Sequence, residues 1–314
     1  KHAEVYALEA AGEQARGATA YVSLEPCSHH GRTPACAPRL VEAGISRVVS
    51  AIEDHNPEVN GGGFSLLEEQ GIVVDKGLME QQAATLNAGF IKRMSQGKPW
   101  VRVKLAQSLD GGTALSSGES QWISGEGARQ DVQNWRARSS AVMCGIETLL
   151  ADDPSLNVRK PSATRQPLRI IVDSQWRTPV GSKTLGLEGE VIVAGREDAD
   201  IPSELANCGV TLMPLPGDNG RVDLNALMAE LAAREVNEIQ VESGATLAGA
   251  LLSEQLVDEI LIYQAPVLLG AGTQNAFAFG PLDNMESRLN MRWIESTHVG
   301  NDLRLRLQPE YPDA

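Results

Sequence analysis

His2-Ala3-Glu4 stands at the start of the chain, and Pro26-Cys27-Ser28-His29-His30-Gly31-Arg32-Thr33-Pro34-Ala35-Cys36 follows it. One imidazole and two thiolates can hold a tetrahedral zinc and leave its fourth position to water. A glutamate two residues after the histidine can carry protons beside that water without being a ligand. His2, Cys27 and Cys36 are therefore the candidate metal ligands, and Glu4 is the candidate catalytic acid and base. A structural zinc would be closed by a fourth protein ligand. The nearby candidates, His29 and His30, sit inside the loop between the cysteines, where they can instead meet substrate or solvent.

The local pattern around these residues indicates the fold. Residues 3–15 are rich in Ala, Glu and Leu and read as a helix, which places His2 and Glu4 at its first turn, where the positive end of the helix dipole lies. Ala20 to Leu24 reads as a strand that delivers Cys27, and Cys36 to Ala43 as a helix stopped by Gly44. A thiol at a helix start favours its ionised form. Strands at Ser46 to Ile52 and Ile72 to Asp75 flank a helix through Leu66, Leu67 and Glu69, with Gly61-Gly62-Gly63 read as a flexible loop that has no phosphate-binding pattern. Alternation of this kind argues for a three-layer α/β sandwich. Met79 to Gly97 reads as one long helix, and Gly97-Lys98-Pro99 as the boundary between a domain over 1–97 and a second over 98–314. Because His2 lies at the first residues, supporting elements of the first domain are expected upstream of Lys1.

Composition narrows the function. With 27 basic and 41 acidic residues the net charge is −14, which repels a nucleic-acid backbone, and aromatic residues make up only 4%, too few for base-stacking platforms. Four cysteines, two of them assigned to metal, leave Cys144 and Cys208 as reduced thiols, consistent with a soluble cytoplasmic protein. No apolar run has the length of a membrane span and no segment has the build of a signal peptide.

The second segment is a further α/β run: strands from Trp100, Ala141, Leu168, Val191, Glu238, Glu259, Met291 and Leu303, with helices over Ala128–Ala137, Leu224–Arg234 and Leu247–Ser253. Lys104 lies in the otherwise apolar strand VRVKLAQ, either facing solvent or held for chemistry. Ser108-Leu109-Asp110-Gly111 and Ser117-Gly118-Glu119-Ser120-Gln121-Trp122-Ile123 place hydroxyls, carboxylates and an indole after a strand end, where ligands sit in open α/β sheets. Glu242-Ser243-Gly244-Ala245-Thr246-Leu247 is a strand end, a turn and a helix start whose free N–H groups can cradle a pyrophosphate. No GxGxxG follows a strand, which disfavours a Rossmann site.

Zinc deaminases of nucleobases usually carry their two cysteines as PCxxC. Here eight residues, 28–35, separate Cys27 from Cys36, and the text PCSHHGRTPAC resembles the deaminase domain of the bifunctional riboflavin biosynthesis enzymes. The segments KLAQSLDG, SGESQWI, TLLADDPSLNVR, IIVDS and ESGATLAGA resemble the reductase half of that same family, so the likeness runs over nearly the whole chain. The resemblance implies a cytidine-deaminase-like sandwich followed by a dihydrofolate-reductase-like domain. It implies Zn2+ and NADPH as cofactors and a phosphorylated pyrimidine as substrate. In the first domain it places Arg32 and Thr33 against that substrate. In the second it makes Lys104 catalytic and assigns Ser120, Arg136, Leu156, Arg159 and Glu242 to the substrate. It assigns Ala106, Trp122, Thr148, Asp152, Ser174 and the run Gly244, Ala245, Thr246, Leu247, Ala248, Gly249 and Ala250 to the cofactor. Ser243 replaces the first of two glycines usual at the turn before that run. Preference for NADPH over NADH comes from the resemblance alone, since the residues present no evident pocket for a 2′-phosphate.

The expectation is a bifunctional enzyme: hydrolytic deamination of a diaminopyrimidinone ribosyl 5′-phosphate, then reduction of the ribosyl group to ribityl. No nucleic-acid or membrane partner is expected, and a homo-oligomer stays open. Two other readings also stay open. One is a reductase joined to an inert deaminase half, and the other a zinc module that edits nucleobases or nucleic acid.

Overall fold

A computed structural model describes residues 1–31, 33–57 and 59–312, and these divide into two compact units, Lys1–Gly97 and Lys98–Ala314. The first unit runs α1 (Ala3–Ala11), a 3-10 turn (Gly12–Ala15), β1 (Thr19–Val22), α2 (Cys36–Glu42), β2 (Arg47–Ser50), α3 (Gly62–Glu69), β3 (Val73–Lys76), α4 (Glu80–Leu86) and α5 (Ala88–Gln96). The strands form a parallel sheet in the order β1-β2-β3. Ala37 and Leu40 of α2, Val48 of β2 and Leu67 of α3 bury together with Ala15, Ile45 and Ile72 as the core of this unit. The core thus fixes the helix that begins at Cys36 against the sheet that leads to Cys27.

The long helix expected over Met79–Gly97 is two. Met79 is left-handed at φ 56°, and Asn87, at φ −104° and ψ 14°, interrupts the run. Asn87 caps the broken end itself, donating both its backbone N–H and its side-chain Nδ2 to the Ala83 carbonyl. A short amide that bonds its own backbone competes with continuation of the helix.

The second unit runs β4 (Trp100–Gln107), α6 (Glu126–Arg138), β5 (Ala141–Gly145), α7 (Ile146–Asp152), β6 (Leu168–Val172), β7 (Val191–Arg196), α8 (Ser203–Ala206), β8 (Thr211–Leu215), β9 (Gly217–Asp218), β10 (Arg221–Val222), α9 (Leu224–Ala233), β11 (Glu238–Val241), α10 (Ala245–Ser253), β12 (Glu259–Gln264), β13 (Asn290–Val299) and β14 (Asp302–Glu310). Nine strands form one sheet in the order β13-β14-β12-β4-β11-β5-β6-β7-β8. From β12 to β8 every pairing is parallel, and β14 and β13 close one edge as an antiparallel hairpin. Strands β5 to β7 are largely apolar, as strands covered on both faces require, and β11 is buried along its whole length although it carries Glu238 and Gln240. Their carboxyl ends lie along one rim, the place where open parallel sheets bind ligands. Helix α7 and strand β8 lay outside the sequence reading. The short apolar segments that form them are ambiguous in periodicity until the sheet gives them a neighbour.

Candidate active sites

In the first unit α1 starts directly after His2 and presents Glu4 in its opening turn. His2, Cys27 and Cys36 bring one ligand atom each to within 4.8 Å of one another, and among the described residues they are the one such group. His2 Nδ1 lies 3.3 Å from Cys36 Sγ and 3.7 Å from Cys27 Sγ. A tetrahedral zinc with ordinary Zn–S and Zn–N bonds needs about 3.5 Å between such atoms, so the donors fit this ion and leave a fourth position open. Only the nitrogen that faces the sulfurs can ligate. The other, Nε2, meets Thr33 Oγ1 at 3.2 Å, the outer hydrogen bond that fixes the tautomer of a ligating histidine. Thr33, expected against the substrate, thus stands behind the metal ligand, and Arg32 lies outside the described residues.

Glu4 and the Cys27 thiol neighbour Cys36, and burial first, then these two groups, push the Cys36 thiol up to about 12. A bound cation supplies the charge that releases such a proton.

The Cys27 loop is anchored by a residue that the sequence reading passed over. Glu25, buried at 3% exposure, accepts hydrogen bonds from four backbone N–H groups: Asp54 at 3.1 Å, Gly61 at 3.0 Å, Gly63 at 2.8 Å and Phe64 at 3.1 Å. The carboxylate therefore caps the N-terminus of α3, where orphan donors and the helix dipole favour negative charge. The triple glycine is a close-packing device and not a flexible loop. A Cβ on Gly63 would lie 1.8 Å from the Pro26 carbonyl oxygen, so only glycine lets α3 approach the residue before Cys27.

In the second unit the carboxyl rim of the sheet opens into a cavity of about 1100 Å3. Lys104 and Ala106 of β4 and Glu242 after β11 line its floor, Ser120 and Trp122 its approach, and Arg136, Leu156 and Arg159 one wall. Thr148, Asp152, Ser174, Gly244, Ala245, Thr246, Leu247 and Ala250 also face it. Ala248 and Gly249 do not. They turn into the core on the far side of α10, where a Cβ on Gly249 would meet the Ala278 carbonyl oxygen at 2.2 Å. A helical segment cannot present seven consecutive residues to one ligand.

Arg136 is not free to meet a ligand head-on. Its Nε and one terminal nitrogen donate to the two oxygens of Glu242 at 2.6 and 2.9 Å, and its other terminal nitrogen donates to the Asn157 carbonyl. Burial alone would push the Glu242 carboxyl up, but the Arg136 guanidinium, together with Lys104 and the Gln240 amide, holds it down at about 2. The Lys104 amine makes no side-chain hydrogen bond among the described residues. Desolvation lowers its pKa, and Arg136 lowers it further against the opposing pull of Glu242. The floor of the cavity is thus a fixed ion pair beside an amine ready to part with a proton.

The turn before α10 is well built despite its serine. Ser243 Oγ accepts from Gly145 N at 3.2 Å, and Thr148 Oγ1 accepts from Gly244 N at 3.0 Å, so side chains tie α7 to the turn. Helix α10 has no side-chain cap, which leaves the N–H groups of Ala245, Thr246 and Leu247 for an anion. Trp122 is 69% exposed at the mouth, with the Arg129 guanidinium 4.7 Å from its ring.

Fold and sites together define a fused enzyme, a zinc hydrolase followed by a nucleotide-dependent reductase. The family described as "Cytidine and deoxycytidylate deaminase zinc-binding region" matches residues 1–52, and "RibD C-terminal domain" matches residues 99–305. The chain is similar to the "Riboflavin biosynthesis protein RibD" of Escherichia coli (strain K12), at 45% identity over 98% of this chain and 86% of that one. Among solved structures it is similar to Acinetobacter baumannii RibD, with a TM-score of 0.91 at 45% identity, covering 99% of this chain and 86% of the other. A Thermotoga maritima protein described as a diaminohydroxyphosphoribosylaminopyrimidine deaminase/5-amino-6-(5-phosphoribosylamino)uracil reductase aligns with a TM-score of 0.84 at 28% identity, over 98% and 85% of the two chains. The chain belongs to the RibD family of bifunctional riboflavin biosynthesis proteins, with a zinc-dependent deaminase half and an NADPH-dependent reductase half. This membership favours the bifunctional reading over the reductase-only one. No helix among the described residues is long and apolar enough to cross a membrane.

Proposed function

We propose that the first unit deaminates a diaminopyrimidinone ribosyl 5′-phosphate and that the second reduces the ribosyl group of the product to ribityl. The observation that carries this reading is the presence in one chain of two constellations: three metal-ligand atoms within 4.8 Å with Glu4 beside Cys36, and Lys104 beside a locked Arg136–Glu242 pair. The description of the Thermotoga maritima relative supports the choice of substrate.

His2, Cys27 and Cys36 would hold a zinc ion, which would supply an activated water. As the oxygen of that water bonds to the amine-bearing carbon, Glu4 takes one proton from it and passes it to the adjacent ring nitrogen; Glu4 then takes the second proton from the same oxygen and gives it to the amino group, which leaves as ammonia when the C–N bond breaks. Thr33 holds the His2 ring while this happens. In the second unit bound NADPH would supply a hydride, and reduction of the ribosyl group requires the bond between its anomeric carbon and its ring oxygen to break. Lys104 gives a proton to that oxygen, and hydride and proton together complete the ribityl chain. The Arg136–Glu242 pair fixes the negative charge under Lys104, and Arg159, whose guanidinium makes no hydrogen bond within the described residues, suits the substrate phosphate.

Substitution of Glu4 by alanine tests the first half. The variant is expected to keep one zinc per chain by metal analysis, to release no ammonia, and to oxidise NADPH normally when given the deaminated nucleotide. Loss of zinc in Glu4→Ala would instead make Glu4 a ligand and overturn its role as proton carrier.

A further inference from the structure

The rim of the nine-stranded sheet has a direction. Lys104 and Ala106 lie in the second half of β4, the free N–H groups of α10 follow its neighbour β11, and β5 and β6 come next in the sheet order. If the reduction occurs over Lys104 and the pyrophosphate rests on α10, the adenosine half of the dinucleotide extends over β5 and β6. That is two strand spacings, about 10 Å, beyond β11. The residues that follow β6 therefore surround the adenosine ribose.

At that end Ser174 Oγ accepts from Val222 N at 3.0 Å and Gln175 Nε2 donates to the Gly220 carbonyl at 3.4 Å, pinning the β9–β10 hairpin to the cavity. Three cations line this part: Arg177, Lys183 and Arg221. Two are already matched. Arg177 bonds Glu147, and Lys183 Nζ lies 3.5 Å from an Asp153 oxygen. Arg221, next to the pinned Val222, is exposed, and its guanidinium has neither a hydrogen bond nor an ion pair within the described residues. A 2′-phosphate brings close to two negative charges, and a neutral arginine–glutamate pair offers little to it, whereas an unmatched guanidinium can bind it through two parallel hydrogen bonds.

We propose that Arg221 is the specificity-determining residue that selects NADPH over NADH by pairing with the 2′-phosphate of the adenosine ribose. The inference rests on the placement of the pyrophosphate at α10, and it assigns a pocket that the sequence did not disclose. Arg221 lies on a surface hairpin away from the chemistry, so its removal changes the affinity for one phosphate and leaves the reaction steps alone.

Calorimetric binding of 2′-phospho-ADP-ribose and of ADP-ribose to the full chain tests it without turnover. The wild-type chain is expected to bind the 2′-phosphorylated form at least tenfold more tightly. Arg221→Ala is expected to bring the two within about twofold by weakening only the phosphorylated form, and Arg221→Lys to recover part of the difference. Arg177→Ala is expected to keep the wild-type ratio. Arg221→Ala retaining that ratio, or weakening both ligands equally, would overturn the proposal, as would loss of discrimination in Arg177→Ala alone. If the wild-type chain bound neither ligand, the placement at α10 would fail together with it.

Discussion

Arg136 grips both carboxylate oxygens of Glu242, at 2.6 and 2.9 Å, across the gap between α6 and the end of β11. The pair is almost wholly buried, and its value lies in position more than in net stability. A buried ion pair is often no more stabilising than apolar residues of the same volume, while removal of one partner strands the other charge. Arg136→Ala is therefore expected to cost about 3–5 kcal/mol, read as a lower denaturant midpoint of the reductase unit, and to abolish reduction. The carboxyl of Glu242 is held at about 2, below the ordinary 4.5. The stability it contributes is thus fully present above pH 4.5 and is lost as the pH falls toward 2. The acid-induced loss in that window should shrink in Glu242→Gln, and an unchanged acid profile would count against the ionised pair.

Lys104 has the opposite balance. Its depressed pKa means that the unfolded chain holds the proton more tightly, so the group opposes folding below its native pKa and the cost fades as the pH rises past the ordinary lysine value. Lys104→Met should consequently raise the unfolding temperature of the reductase unit at neutral pH, by a few degrees for about 1 kcal/mol, while reduction is lost and deamination is spared. A Lys104→Met protein that still reduces the nucleotide would remove Lys104 from the mechanism.

Glu25 offers a test of how the zinc loop is held. Conversion to glutamine replaces one acceptor oxygen with a donor that faces backbone N–H groups, and each buried donor left without a partner costs about 1–3 kcal/mol. Glu25→Gln is expected to lower the melting temperature of the first unit, to weaken zinc binding in a chelator competition, and to leave reduction untouched. Wild-type zinc affinity in a folded Glu25→Gln protein would show that the Cys27 loop does not need this anchor.

The residues that could hold a metal were legible from the text because their chemistry is rare and their order is constrained. The histidine must precede the glutamate by two positions on one helix, and the thiols must flank a turn. Glu25 was hidden beside them, since an acid before Pro-Cys looks like any loop residue until four backbone N–H groups converge on it. The signal that could have found it was Gly61-Gly62-Gly63, three residues able to bring bare backbone close to a neighbour. Ala248 and Gly249 were assigned to the cofactor as part of a block, whereas helical periodicity turns them inward between Leu247 and Ala250. Arg221 was illegible for another reason. Its isolation from acids and its place beside Ser174 exist only once β10 is pinned to the end of β6.

The central claim is that two distinct constellations in one chain act in sequence on one nucleotide. The most direct measurement supplies the diaminopyrimidinone ribosyl 5′-phosphate with NADPH and follows ammonia release and NADPH oxidation together, with and without a zinc chelator. Without chelator both signals should appear, ammonia first. With chelator both should vanish, and addition of the deaminated nucleotide should restore NADPH oxidation alone. NADPH oxidation that proceeds on the undeaminated nucleotide in chelator, or ammonia release that survives removal of zinc, would contradict the account.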